Sequence, residues 1–215
     1  MRRVMVALIS AIVIGLLLVP SGASALTTMV VQDSVGDVGI AIDMKTGTIR
    51  DTLSPEVPLV KAGYFDMVSV WLSQKGKTYT FGMELAVALP KEGTPLPNPA
   101  KLAQWELWID PVPYIIDPSP AVGMIALRYD GSSYSAFVCD WATKVETPIP
   151  FSIDGSKLQL QFTAAQLNNA VISWWVPLVE IYVGPLGTWA SGFVDAVDLG
   201  AAPGQVGFDL PWPPV

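Results

Sequence analysis

The chain of 215 residues has no histidine and one cysteine, Cys139. Without imidazole there is no Ser-His-Asp or Cys-His nucleophile, no histidine-ligated zinc or copper, and no haem held by histidine. A lone cysteine cannot close an intrachain disulfide. With no imidazole partner, Cys139 is expected to be a small buried residue rather than a nucleophile. Charge is scarce as well: charged residues make up 14%, with 19 acids against 12 bases and a formal net charge of −7. A chain of that balance has no electrostatic reason to seek nucleic acid or an anionic membrane surface. None of Asn98, Asn168 and Asn169 has a hydroxyl residue two places on, so no N-glycosylation acceptor is present. A Gly-rich phosphate loop and a nucleophile elbow are both missing.

What is present begins at the N-terminus. Arg2 and Arg3 precede an uncharged apolar run from Val4 to Val19, which Pro20, Ser21 and Gly22 break. Ala23-Ser24-Ala25 then offers a small-x-small cleavage site, so residues 1–25 are expected to be a secretory signal and residues 26–215 an exported domain. The run is short for a relaxed membrane span, and the membrane is involved only if the segment stays uncleaved. Cleavage would remove Arg2 and Arg3 and no acid, moving the net charge from −7 to −9. Hydrophobic residues make up 51% of the chain, ample for a core.

Period-two alternation dominates the rest. Val68, Val70 and Leu72 alternate with Ser69, Trp71 and Ser73. After Gln74-Lys75-Gly76-Lys77, a second run from Tyr79 to Leu89 alternates in the same way, which predicts a long hairpin. Trp105, Leu107 and Ile109 alternate with Glu106, Trp108 and Asp110. The pairs Gly123–Tyr129 with Ser132–Trp141, and Ile149–Ile153 with Lys157–Thr163, flank Asp130-Gly131 and Asp154-Gly155, dipeptides suited to tight turns. Shorter strands are expected at Leu26–Gln32, Ile40–Met44, Thr48–Thr52 and Phe193–Leu199, with a last long one at Ser173–Val183. Thr163–Asn169 is the one helical turn, capped by Thr163. Proline-rich loops fill 90–99 and 111–120, and a Pro/Gly-rich tail starts near 201. The expectation is an all-β fold, a single sandwich of nine to twelve mostly antiparallel strands.

Asp33-x-x-Gly36-Asp37, Asp66-Met67-Val68-Ser69-Val70 and Tyr79-Thr80-Phe81-Gly82-Met83-Glu84-Leu85 resemble exported DOMON-like sandwiches, including domains grouped with family 9 carbohydrate-binding modules. Trp105–Asp110, Tyr129-Asp130-Gly131 and Ser152–Leu158 follow in the same strand order. The resemblance implies sugar binding, haem or redox binding, or structural display on an envelope. The haem branch uses a methionine and a histidine as axial ligands, and the absence of histidine argues against it.

Three constellations follow from the strand pattern. If the apolar alternates face the core, Trp71, Trp108 and Trp174 face outward beside serines or carboxylates, with Glu106, Glu180 and Tyr182 on the same outward faces. A flat indole beside polar groups suits the C–H face of a pyranose and its hydroxyls. Asp33 with Asp37, and Asp195 with Asp198, are carboxylate-rich turns that could hold a structural Ca²⁺. Glu84, Glu106 and Glu180 are expected to be solvated charges rather than a glycosidase pair, so no enzyme is expected. The sequence reads as a non-catalytic glycan-binding sandwich, secreted or held at the cell surface. The alternative is a structural or adhesion domain of the envelope.

Overall fold

Alternation builds the strands, and the computed structural model describes residues 27–33, 41–43, 48–50, 63–97, 100–110, 122–170, 172–182, 191–196 and 210–211. Residues 1–25, expected to be a secretory signal, together with Asp37, Asp198 and the tail from 201 apart from 210–211, lie outside the described residues. Among the described residues are fourteen strands in two antiparallel sheets and no α-helix. The fold is a β-sandwich. Eleven strands have four residues or more, and three short ones bring the total above the expected range.

The smaller sheet runs, in spatial order, β1 (Thr27–Gln32), β4 (Met67–Lys75), β5 (Thr78–Leu85), β11 (Lys157–Thr163) and β10 (Phe151–Asp154). The larger runs β3 (Thr48–Arg50), β2 (Ala41–Asp43), β13 (Ser191–Ala196), β12 (Trp174–Tyr182), β6 (Leu102–Asp110), β7 (Gly123–Tyr129), β8 (Tyr134–Asp140) and β9 (Val145–Pro148). β14 (Leu210–Pro211) adds to β12 beside the end of β13.

The core lies between the sheets. Val70, Leu72, Phe81, Met83, Leu158 and Leu160 meet Trp105, Leu107, Ile125, Leu127, Trp175 and Val179, all fully buried. Polar ends of two core aromatics are tied to loops: Trp105 Nε1 donates to the Tyr64 carbonyl at 2.9 Å, and the Tyr129 hydroxyl to that of Thr94 at 2.6 Å. The Tyr134 hydroxyl donates to the Pro90 carbonyl at 2.7 Å, so two stacked tyrosines fasten the proline-rich 90–97 loop to the sandwich. Without such donors a loop bearing so many prolines would have few ways to satisfy its carbonyls.

Several sequence expectations shift. A bulge between Met67 and Ser69 changes the phase of β4, so Met67 joins the core and Val68 is only half-buried. β5 ends at Leu85 rather than Leu89. The β10–β11 hairpin turns on Gly155-Ser156, one residue later than expected, with Asp154 paired to Lys157. Gly155 at φ +60° and Gly76 at φ +63° are each the first of two central turn residues, the position where a II′ turn requires glycine. Asp130-Gly131 belongs to a four-residue loop instead of a tight turn. Asp130 Oδ1 accepts from the backbone N–H groups of Ser132 and Ser133, at 2.8 and 2.9 Å. Thr163 opens a 3₁₀ turn, Ala164–Leu167, with Gln166 Oε1 accepting its N–H at 2.8 Å. Strand β9 was not expected from the sequence.

Candidate functional site

Each sheet has an outer face, and the two differ in kind. On the larger sheet, inward Trp105, Leu107 and Ile109 send Gln104, Glu106 and Trp108 outward, as alternation predicts. Register then brings them beside β12: Leu178 lies opposite Glu106, and Glu180 opposite Gln104. Tyr182 and Trp174 share that face. Solvated carboxylates were expected here, and that expectation is corrected: Glu106 is 0% exposed and Glu180 3%. Val176, Leu178, Ala126 and Phe137 are buried on the same face, so the middle of this sheet is buried on both sides. Alternation tells which face a side chain takes and nothing about what covers that face. The near-continuous apolar run of β12, WWVPLVEIY, was the available signal for two-sided burial.

The buried polar groups close on themselves. Gln104 Nε2 donates to Glu106 Oε1 and to the Tyr182 hydroxyl, the latter at 3.0 Å. Trp108 Nε1 donates to Glu106 Oε2 at 2.6 Å, and the Tyr182 hydroxyl donates to Glu180 Oε2 at 2.5 Å. Arg128 Nε donates to Gln104 Oε1 at 2.8 Å, while its two terminal nitrogens grip Glu146 of β9 at 3.0 and 2.7 Å. The guanidinium also lies 4.1 Å over the Phe137 ring. Glu180 lies beside Glu106 across the β6–β12 pairing, and two carboxyls this close in a buried site oppose each other's ionisation. Burial, followed by the charge of Glu180, holds Glu106 well above the usual carboxyl range, against the opposing bonds from Trp108 and Gln104. Burial and the same two carboxyls raise the Tyr182 phenol, keeping it a donor. This cluster favours the protonated form of Glu106 and ties β6, β7, β9 and β12 together. Sequence reasoning missed Gln104 and Arg128, although both follow from the same alternation.

Cys139 is buried as expected but not between the sheets. It packs on this second face with Ala126 and Phe137. Burial, then Glu146, raises its thiol pKa, so it is a poor nucleophile. The half-buried Trp108 meets Trp141 edge-on, ring centres 5.0 Å apart.

The smaller sheet is open. Its register aligns outward residues in rows across the strands. One row is Val30, Trp71, Gly82, Gln159 and Ser152. The next, toward the hairpin turn, is Thr28, Ser73, Thr80 and Gln161. On the other side lie Gln32, Ser69, Glu84, Lys157 and Asp154, with Lys157 Nζ 3.4 Å from Glu84. Val30 is 58% exposed, and Gln159, Gln161 and Ser152 are exposed too. Trp71 does not stand upright. Its indole leans over β5 onto Gly82, where an added Cβ would lie 2.0 Å from Cε2 and 2.1 Å from Cζ2. Only glycine leaves that space. Gly82, Thr80, Gln159 and Gln161 were not singled out from sequence, though alternation with Phe81, Leu158 and Leu160 marks them as outward.

Asp33 follows β1 at the edge of the smaller sheet, its N–H donating to the Val68 carbonyl at 2.9 Å. Asp195 is in β13 of the larger sheet, opposite Val179. Asp37 and Asp198, their expected partners around Ca²⁺, are outside the described residues. Among the described residues no cluster of three or more acidic or sulfur ligands assembles.

No family model, curated protein or solved structure matches the chain. The likeness to DOMON-like and family 9 carbohydrate-binding sandwiches therefore stays with the turns and strands that suggest it.

Proposed function

We propose that the protein is a non-catalytic, exported glycan-binding sandwich whose binding surface is the outer face of the smaller sheet, centred on Trp71. The observation that carries this reading is the indole resting on Gly82, with exposed Gln159 and Ser152 in its own row and exposed Gln32, Thr28 and Gln161 in the rows on either side. An indole laid along a sheet offers an apolar plate to a pyranose, and Gln, Ser and Thr offer donors and acceptors to its hydroxyls. Trp108, Glu106, Glu180 and Tyr182, sugar-binding candidates by sequence, are assigned to scaffolding instead. Their hydrogen-bonding capacity is largely taken up within the buried network. The basic start, apolar run and Ala23-Ser24-Ala25 support export.

A glycan array followed by calorimetric titration tests the proposal. Stacking on one indole contributes about 1–2 kcal/mol at the usual area coefficient. Trp71→Ala should therefore weaken the selected glycan by about five- to thirty-fold. Binding left intact in Trp71→Ala would remove the assignment.

A further inference from the structure

Resting on that reading, we infer that the ligand is an uncharged, extended polysaccharide lying across the strands of the smaller sheet, rather than an acidic glycan or a single sugar held in a pocket. Charge is the first argument. The row through Trp71 and the row through Thr80 carry no ionisable side chain on any strand. Ionisable groups sit at the margins. Glu84 and Lys157 are paired, Asp154 adds a negative charge beside them, and Lys75 stands at the hairpin end. Recognition of carboxylate or sulfate normally uses arginine forks or clustered lysines, and the two central rows have neither. With a net charge of −7 the whole chain repels a polyanion besides.

Shape is the second argument. The Trp71 row crosses all five strands of the sheet. At the usual strand spacing that is about 19 Å, room for several sugar rings in line. Pocket-type recognition needs walls. Here the indole of Trp71 lies over the missing Cβ of Gly82 instead of standing up as a wall. A surface of glycine, valine, serine, threonine and glutamine with one flat plate suits a chain that spreads contacts over successive units.

The test titrates the full chain with cellohexaose, chitohexaose and mannohexaose, with the matching disaccharides, and with alginate and heparin, at low and at molar salt. The expected result is binding of at least one neutral hexasaccharide, at least about tenfold tighter than its disaccharide and little changed by salt. Gln159→Ala and Gln161→Ala should each weaken it several-fold with the unfolding midpoint unchanged. Preference for alginate or heparin that fades with salt would overturn the inference while leaving a glycan-binding face in place. Equal affinity for disaccharide and hexasaccharide would also overturn it, since a single subsite would then suffice. Concentration-dependent dimerisation abolished by Trp71→Ala, with no glycan bound, would assign the face to a second copy of the chain. Silence from every glycan on the array would overturn the underlying reading together with this one.

Discussion

Gly82 and Glu106 show how far one residue can set the character of a face. Gly82 matters for the space it leaves: a methyl group there would collide with Trp71 at 2.0 Å. Gly82→Ala should lift the indole from the sheet and weaken glycan binding about as much as Trp71→Ala does, although every binding group remains. The stability cost should be about 1 kcal/mol, the low end for overpacking, because an outward ring has room to swing. Titration calorimetry and urea unfolding measure the two effects. Glu106 matters for its proton. A carboxyl whose pKa is raised by folding stabilises fully below its ordinary value of 4.5, and that contribution is lost as pH rises through the folded value. Unfolding free energy should therefore decline with rising pH above 4.5, and Glu106→Gln should flatten the decline. Urea titrations at several pH values, parent against variant, check this; parallel curves would mean the pair holds no proton. Asp130 acts in a separate window. Its bonds from Ser132 and Ser133 hold it at about 2, below the ordinary 3.8, so its contribution is present above 3.8 and lost as pH falls through 2.

Among the elements, hairpins and edges do most of the organising. The β10–β11 turn places Gly155 at φ +60° with nothing within 4 Å of where a Cβ would be. Gly155→Ala and Gly155→Asn should each cost about 1 kcal/mol or a little more through backbone strain alone, because the first central position of a II′ turn suits glycine and neither of these residues. Thermal unfolding of the two variants separates strain from packing. A loss much larger for Gly155→Asn than for Gly155→Ala would show that side-chain crowding, not backbone conformation, is responsible. Pro177 lies inside a central strand, where a missing N–H normally breaks a ladder. β13 pairs from Leu178 onward and β14 at Trp174 and Trp175, so the proline falls where neither strand pairs. At the corner where the chain leaves the larger sheet for the smaller, Pro148 and Pro150 flank Ile149 between edge strands β9 and β10. Prolines at exposed edges discourage pairing with another chain. These elements were legible to different degrees. Alternation in β4, β5 and β11 marked strand and face together, whereas β9, Val145–Pro148, is short and bounded by proline and carries no such pattern.

The sandwich is asymmetric: strands β6 and β12 at the middle of the larger sheet are buried on both faces, whereas the smaller sheet is open on its outer face. Two tryptophans show the contrast. Trp105 is fully buried between the sheets and hydrogen-bonded to the Tyr64 carbonyl. Trp105→Ala should cost about 3–5 kcal/mol, as large aromatic truncations in cores do. Trp71→Ala should cost no more than about 1 kcal/mol, since the ring is half-buried on an open face. Chemical denaturation of the two variants side by side gives the comparison, and a loss of several kcal/mol for Trp71→Ala would make that ring structural.

The amino-acid sequence by itself determined the strand periods, the hairpins around Gly76 and Gly155, and the side of each strand on which Trp71, Glu106, Trp108 and Glu180 fall. These are local consequences of pleat geometry and turn stereochemistry, set within a few residues. Tertiary structure decided which outward face meets solvent. Burial depends on what packs over a sheet, and residues far apart in the chain settle that. Glu106 and Glu180 were thus drawn into one buried hydrogen-bonded network by the pairing of β6 with β12. Trp71 was laid open because Gly82, eleven residues on and across the hairpin, has no side chain to hold it upright.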